Sequence, residues 1–581
     1  MNRAERFIAI SHTITLYGLL FLIIFTPFAI VSTLPFSYAM PWPLAVTVLT
    51  VIILVGVWLF RDIYQGTLTV LKTPLNLPAM IFLAFVIFQL IPLPPFVLHY
   101  LSPSSATIYR LVEHDVSRDI SETLLTNNTA LAPDSSSGQA QEKTPFSFLT
   151  RKNAASINGT AEENQTPGLH HLNQEVYGHQ KERKNTGWHP ITVNTYATRL
   201  EGIRLLVYLG IFFLIVNTIQ TRRQIRTVVI SIVFTAVSVA FLGLIQYLSG
   251  TEKVFWCYDI QRTSFFATFS NRDHFACYMG MTVPLAIGLF FTEFIRNHSR
   301  RRRFSFRDTH SGSAGHWVIL YLFSITIMLA SLFLAQSGAA AAAISVSFCI
   351  LTGMLFYRKE LRNIIWLVVP VFIITFSLLL WVGIQPVAEE LSTMNIQDAS
   401  FTIRLAFWKD TVRAIKDFPF FGAGLGVFPY LYPQYSFSNP LGSGYFVNHA
   451  HNDYLELALD TGIIGCCVAL WALYRFLKDT ALHHVLGITR GIGHTDAGNH
   501  KTKTGHPHTK ENDPFILGMA LGGSIGIMNI AFHSIADFNL HIQANAFLLS
   551  VLFGITTAVV HIKDFESQEP FKKGKARKIL R

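Results

Sequence analysis

The sequence predicts an all-α, polytopic membrane protein with about twelve transmembrane helices. Three observations carry that reading. Hydrophobic residues make up 51% of the chain and charged residues only 14%, against about 25% charged in soluble domains. Apolar runs long enough to cross a ~30 Å hydrocarbon layer as helices recur from end to end. The excess of basic residues, a formal charge of +11, gathers on one side of those runs. The runs lack the every-second-residue alternation of a membrane β-barrel.

The predicted spans are 12–33, 44–60, 78–96, 203–220, 226–248, 274–295, 317–335, 339–357, 363–384, 453–477, 515–533 and 544–562. The first is too long for a signal-peptide core and no Ala-x-Ala site follows it, so it is expected to stay as a signal anchor. They group into N-terminal helices (1–96), central helices (203–384) and C-terminal helices (453–562), with a basic tail over 563–581. Threading the spans puts Arg3/Arg6, Arg222/Arg223/Arg226, Arg296 with Arg300–Arg303, Arg358/Lys359/Arg362 and Lys572–Arg581 on one side, together with the loop 478–514. Lys and Arg near span ends favour the cytoplasm, which makes both termini cytoplasmic. Topology accounts for the basic balance, so the expected partner is the lipid bilayer and not nucleic acid. Of the five cysteines, Cys277, Cys349, Cys466 and Cys467 lie inside spans and read as small apolar core residues.

The loops facing away from the cytoplasm are then 34–43, 97–202, 249–273, the hinge at Gln336-Ser337-Gly338, 385–452 and 534–543. Within 97–202, residues 113–186 are rich in Ser, Asn, Thr, Gln and Gly and nearly free of aromatics, so they cannot bury enough apolar surface to fold alone. Order is predicted to return from Trp188 to Arg199, packed on the membrane face near a site. The Asn-x-Ser/Thr triplets at Asn127, Asn158 and Asn164 are what that composition produces by chance. His483, His484, His494, His500, His506 and His508 sit in the cytoplasmic loop with irregular spacing and no organised acidic ligands, which reads as a solvated segment.

Polar chemistry collects on the non-cytoplasmic side. Arg272 and His274 stand where a span begins, among phenylalanines, and suit either an interfacial snorkel or a site. Arg404 opens a helix whose residues 405, 408, 412 and 415 share an apolar face, as in a helix lying along a membrane. Arg404 and Arg413 suit lipid headgroups or a diphosphate, which guanidinium groups hold by paired hydrogen bonds. Gly422-Ala423-Gly424-Leu425-Gly426 lacks nucleotide-loop spacing and predicts a tight turn with close backbone approach. In Asn448-His449-Ala450-His451-Asn452-Asp453, the expected helix start has Asp453 as N-cap and Glu456 completing a capping box. The positive end of that helix would keep His451 neutral and able to accept a proton, and would offer a seat for an anion. His449 is the second candidate for the base. His533 and Asp537 fill the last turn, either pairing with each other or touching substrate.

Four pieces in this order, Phe269–Ala276, Arg404 to Gly426, Ala450–Leu455 and His533–Asn545, resemble the O-antigen ligase and polymerase superfamily of membrane glycosyltransferases over roughly residues 200–560. The resemblance implies a GT-C-like fold with a periplasmic catalytic loop at 385–452 in a bacterial inner membrane. It implies transfer of a glycan from an undecaprenyl-diphosphate carrier to an acceptor hydroxyl, with inversion and without metal or other cofactor. It assigns His451 as base and Arg404 as diphosphate ligand, with Arg272 as a second charge. The surrounding candidates for substrate binding are His274, His449, Asn452, Arg413, Arg199, His533 and Asp537. One departure stands out: where many members have Ser-Arg-Gly/Ala at the middle hinge, this chain has Gln336-Ser337-Gly338-Ala339. Arg272, Arg262 or Arg199 would then replace the missing charge. A ligase acting on lipopolysaccharide or another surface polysaccharide is the first reading. A repeat-unit polymerase or protein O-oligosaccharyltransferase is the alternative within the superfamily, and a transporter component is the alternative outside it.

Overall fold

The computed structural model describes residues 3–29, 42–66, 68, 70–113, 187–258, 265–300, 313–357, 377, 399–437, 446–480 and 513–579. Among these residues the only strand-like features are three isolated bridges. The predicted span 363–384, the insertion 114–186, the His-rich loop and Arg262 lie outside the described residues.

The described residues 92–113 and 187–190 form a unit of their own. It holds helix α4 (Pro95–Leu101), a helical stretch over 103–113, and the returning segment 187–190, which meets Leu93 through an antiparallel bridge at His189. His189 stacks on Tyr109 at 4.2 Å, and its Nε2 lies 2.9 Å from Glu113.

The second unit carries the remaining helices. They are α1 (Arg3–Phe28), α2 (Trp42–Tyr64), α3 (Asn76–Leu90), α5 (Thr195–Thr218), α6 (Arg222–Leu248), α7 (Arg272–Arg300), α8 (Ser313–Leu334) and α9 (Gly338–Tyr357). They continue with α10 (Ala399–Asp417), α11 (Phe428–Tyr435), α12 (Asp453–Leu477), α13 (Pro514–His533) and α14 (Gln543–Ile579). Nine of them are long and apolar enough to span a membrane among the described residues: α1, α2, α5, α6, α7, α8, α12, α13 and α14. Helices also occupy the predicted spans 78–96 and 339–357, but as shorter apolar pieces, Asn76–Leu90 and Gly338–Met354. The protein is an all-helical, multi-span membrane protein.

Burial sorts these helices. Along the middle of α1 and α2 large apolar side chains are exposed (Tyr17, Phe21, Leu49, Ile52, Phe60), a surface suited to lipid and not to water. Helix α7 is almost wholly enclosed, and α13 packs most intimately against it. Glycines make that approach possible. A methyl group on Gly288 would run into the Gly518 carbonyl, one on Gly522 into the Pro284 carbonyl, and one on Gly526 into that of Met281. Small residues at such contacts let backbones close up where lipid supplies no hydrophobic drive.

Polar groups concentrate at the two ends of this core. At one end, buried Glu293 pairs with Arg226 (2.8 Å) and Arg296, and Arg222 reaches Asp513 (2.5 Å). This end holds the basic residues predicted to face the cytoplasm. The opposite end holds the histidines and carboxylates of the candidate site.

Helix α12 differs from expectation in one respect. The apolar run 453–477 was expected as one span, but Gly462 (φ 61°, ψ −167°) breaks it. A short helix over 453–461 precedes a second helical piece that runs on to Leu477. The break is set by close contact: the left-handed Gly462 lies against the backbone of Phe420 and Gly422, leaving no room for a Cβ.

Candidate active site

The glycine-rich turn fixes the frame. Gly422, Gly424 and Gly426 all have positive φ (72°, 117° and 78°). Three N–H groups of this turn are claimed by the first half of α12. Ala423 donates to the Leu459 carbonyl (2.8 Å), Gly424 to that of Asp460 (3.0 Å), and Gly426 to the Asp460 carboxylate (2.6 Å). Gln89 of α3 donates to the carbonyls of Phe421 (2.7 Å) and Asp460 (2.8 Å), tying the same two segments. The stretch expected to pack near the site does so from residue 191 onward. Val193 donates to Ala423, while buried Thr192 and Thr198 back Gly424. The turn thus presses backbone against backbone and anchors the helix that carries the motif histidines.

The start of that helix corrects the sequence reading. Its N-cap is Asn452, whose side-chain oxygen accepts from Tyr454 and Leu455 (both 3.0 Å). Asp453 is the first helical residue, because its carboxylate is engaged elsewhere, accepting from the Leu540 N–H and meeting His541 Nδ1 (both 3.1 Å). The Asp453 N–H donates to the carbonyls of Ser534 (3.0 Å) and Asp537 (3.3 Å). The first-turn N–H groups are therefore occupied by the protein, and this terminus is not the anion seat the sequence suggested. Glu456 does reach back, but to the Ala450 N–H (2.6 Å) and not to the cap residue.

Around this start the chain gathers three histidines on one ring. Phe538 is stacked by His449 (4.2 Å between centroids) and met edge-on by His451 (4.8 Å) and His274 (4.6 Å). The three imidazoles differ sharply in access. His274 is fully buried, the His449 side chain is 8% exposed and that of His451 is 29% exposed. His449 Nδ1 lies 3.2 Å from Glu456, and burial pushes its pKa down in spite of that carboxylate. His451 is the open member. Its Nδ1 lies 3.3 Å from Asp537 Oδ1, which as a carboxylate must accept, so this nitrogen carries the proton and Nε2 is the free lone pair. Its backbone is left-handed (φ 53°), an unfavourable state for a residue with a Cβ and one that concentrates at functional sites.

Asp537 is wholly buried. Burial alone would raise its pKa, but the charge of His274, joined by His451, holds it well below the usual carboxylate range. Arg404 completes the rim. It donates to the Ala536 carbonyl (3.0 Å) and lies 3.6 Å from Asp273. Trp408, one turn on, donates to the Ala450 carbonyl (3.0 Å), placing α10 directly over the motif. On α10 the outward residues are Leu405 and Val412, while Phe407, Asp410 and Ala414 are buried.

Arg404, His274, His449, His451, Asn452 and Asp537 thus come together, and His533 closes α13 in the adjoining turn with both ring nitrogens buried and unpartnered. Arg413 stands apart, paired with Asp410 (2.9 Å) beside Phe437. Arg199 and Arg272 are exposed and show no contact with these residues. Sequence reasoning did not single out Phe538, Asp273 or His541, although all three lie within motifs it quoted. His541 bridges Asp453 (3.1 Å) and Glu456 (3.3 Å). Burial opposes its charge, but Glu456 and Asp453 outweigh that and push its pKa up to about 10. His449, Glu456 and His541 place one ligand-type atom each within 4.8 Å of the others, a metal-compatible spacing. Each of those atoms already has an ionic or hydrogen-bonding partner within the cluster.

Residues 323–470 match the family model for O-antigen ligase. No curated protein matches the chain. The match covers α10, the glycine turn, His449, His451 and the first half of α12, which are two of the four pieces on which the sequence resemblance rests; Phe269–Ala276 and His533–Asn545 lie outside it. This chain is a multi-span membrane protein in which residues 323–470 are similar to the O-antigen ligase family.

Proposed function

We propose that the protein transfers a glycan from an undecaprenyl-diphosphate carrier to an acceptor hydroxyl at the periplasmic face of the bacterial inner membrane, building lipopolysaccharide or another surface polysaccharide. The observation that carries this reading is the pairing of one open histidine, His451, with a buried ionised carboxylate, Asp537, beside Arg404. Asp537 fixes the tautomer, so His451 Nε2 takes the proton from the acceptor hydroxyl as it attacks the anomeric carbon. The diphosphate leaves from the opposite face, inverting the configuration. Arg404 meets the charge that develops on the leaving group, exchanging its long contact with Asp273 for a phosphate oxygen. These steps use protein groups alone and call for no metal. Arg272 and Arg199, exposed and without partners among the described residues, remain able to supply the charge absent from the hinge at Gly338.

His451→Ala tests this in cells: glycan transfer is lost while protein level and membrane insertion persist. The chain-length profile of carrier-linked glycans in cells lacking the gene separates the superfamily readings. Long chains stranded on the carrier indicate a ligase or protein transferase, and single repeats indicate a polymerase. An unchanged profile rejects the transferase reading and favours a transporter component.

A further inference from the structure

We infer that His274 is a positioning residue that acts through Asp537 and never touches the glycan or its carrier. The inference rests on the transferase reading and changes the place of His274 within it. The resemblance groups His274 with the substrate contacts, yet its side chain is fully buried. What it faces is the carboxylate behind the base. His274 Nδ1 lies 3.3 Å from Asp537 Oδ2 and 3.1 Å from Asn539 Oδ1, while the other carboxylate oxygen, Oδ1, is the one that meets His451. One buried carboxylate is therefore held between two imidazoles, one open to substrate and one sealed.

The sealed imidazole has little freedom. It meets Phe538 edge-on at 4.6 Å, and its own carbonyl accepts from Asn545 (3.1 Å) on α14. Asn539, whose Oδ1 accepts the Nδ1 proton, lies in the short helical turn after Asp537, and the contact of His274 with Asp537 Oδ2 is ionic, since that oxygen has no hydrogen-bond partner of its own among the described residues. His274 thus belongs to α7, the most enclosed helix, and transmits its rigidity to the loop 534–542. Without that hold, Asp537 would rest on His451 alone. A carboxylate with one partner turns about χ1 and χ2, and the imidazole it orients turns with it. A general base contributes only while its lone pair stays aimed, which is worth about 10²–10⁴ in rate.

Two substitutions separate this role from bulk packing. His274→Leu fills the space and removes the donor. His274→Asn places an amide N–H near the Nδ1 position and keeps it. In purified protein supplied with a polyprenyl-diphosphate-linked glycan and an acceptor, His274→Leu is expected to lower kcat about 10-fold or more with KM little changed. His274→Asn is expected to restore most of the loss. Wild-type kcat in the Leu variant, a KM effect without a kcat effect, or an Asn variant as impaired as the Leu variant would each overturn the inference. A structure of the Leu variant at side-chain resolution tests the same point without any activity, so it still reads out if the transferase assignment itself fails. The contact between His451 Nδ1 and Asp537 should open beyond hydrogen-bond reach, and its retention at the present 3.3 Å rejects the proposal.

Discussion

At the scale of single residues, the site is a set of buried carboxylates each shared between imidazoles. Asp537 serves His451 and His274, and Glu456 serves His449 and His541. Asp537→Asn keeps the shape but removes the charge and offers an amide that can force the wrong tautomer on His451. Its kcat should fall by about 10²-fold or more at unchanged expression, measured as glycan transfer by purified protein. His541 gives a prediction in pH. Its folded pKa of about 10 stands above the ordinary 6.5, so its stabilisation is complete below pH 6.5 and lost as pH rises through about 10. The thermal midpoint of the wild type in detergent should drop across that window, while His541→Gln starts lower and stays nearly flat. A wild-type midpoint that holds to pH 10 would contradict the charged bridge.

At the scale of elements, the half-helix 453–461 is the critical piece. Its cap and its break are both testable. Asn452→Ala removes the acceptor for two N–H groups and should cost about 1 kcal/mol in unfolding free energy. Gly422→Ala meets the Asp460 backbone at a left-handed φ. The conformation alone costs about 1–2 kcal/mol, so the loss of thermal stability should exceed that of the cap variant. Legibility in the sequence divides along the same line. Long apolar runs announced the helices because span length is a strong constraint. The break at Gly462 was invisible, since a glycine in an apolar run looks like a tolerated packing residue. The cap was misplaced by one residue because Asp453 and Asn452 are equally good caps locally. Only the distant Leu540 and His541, which engage the Asp453 carboxylate, decide between them. Likewise the motifs at 449–456 and 533–541 could each be read, but not their meeting across Phe538, which depends on the loop 534–541 folding onto the start of α12.

At the scale of the whole molecule, the tight α7–α13 pair supports the site from beneath. Gly518→Leu would drive these backbones apart and should lower both detergent-solubilised yield and thermal midpoint, even though it lies at the opposite end of α13 from His533. The side assignment is open to a direct check. Cys257 is exposed in the loop after α6, so a variant retaining it as the sole cysteine should react with a membrane-impermeant maleimide added outside spheroplasts. Protection until the membrane is opened would invert the topology.

The carboxylate that orients His451 has a consequence for how such genes can be cut and recombined. The segment that matches the O-antigen ligase family model ends at residue 470, yet Asp537, Phe538 and His541 are encoded well downstream. A fragment trimmed to that segment would carry His451, the proposed base, without the Asp537 carboxylate that it meets. A chimera joined anywhere between α12 and α13 would pair a histidine from one parent with a carboxylate from the other. Successful grafts should therefore exchange 449–461 and 533–545 together, as one inherited unit separated by neutral sequence.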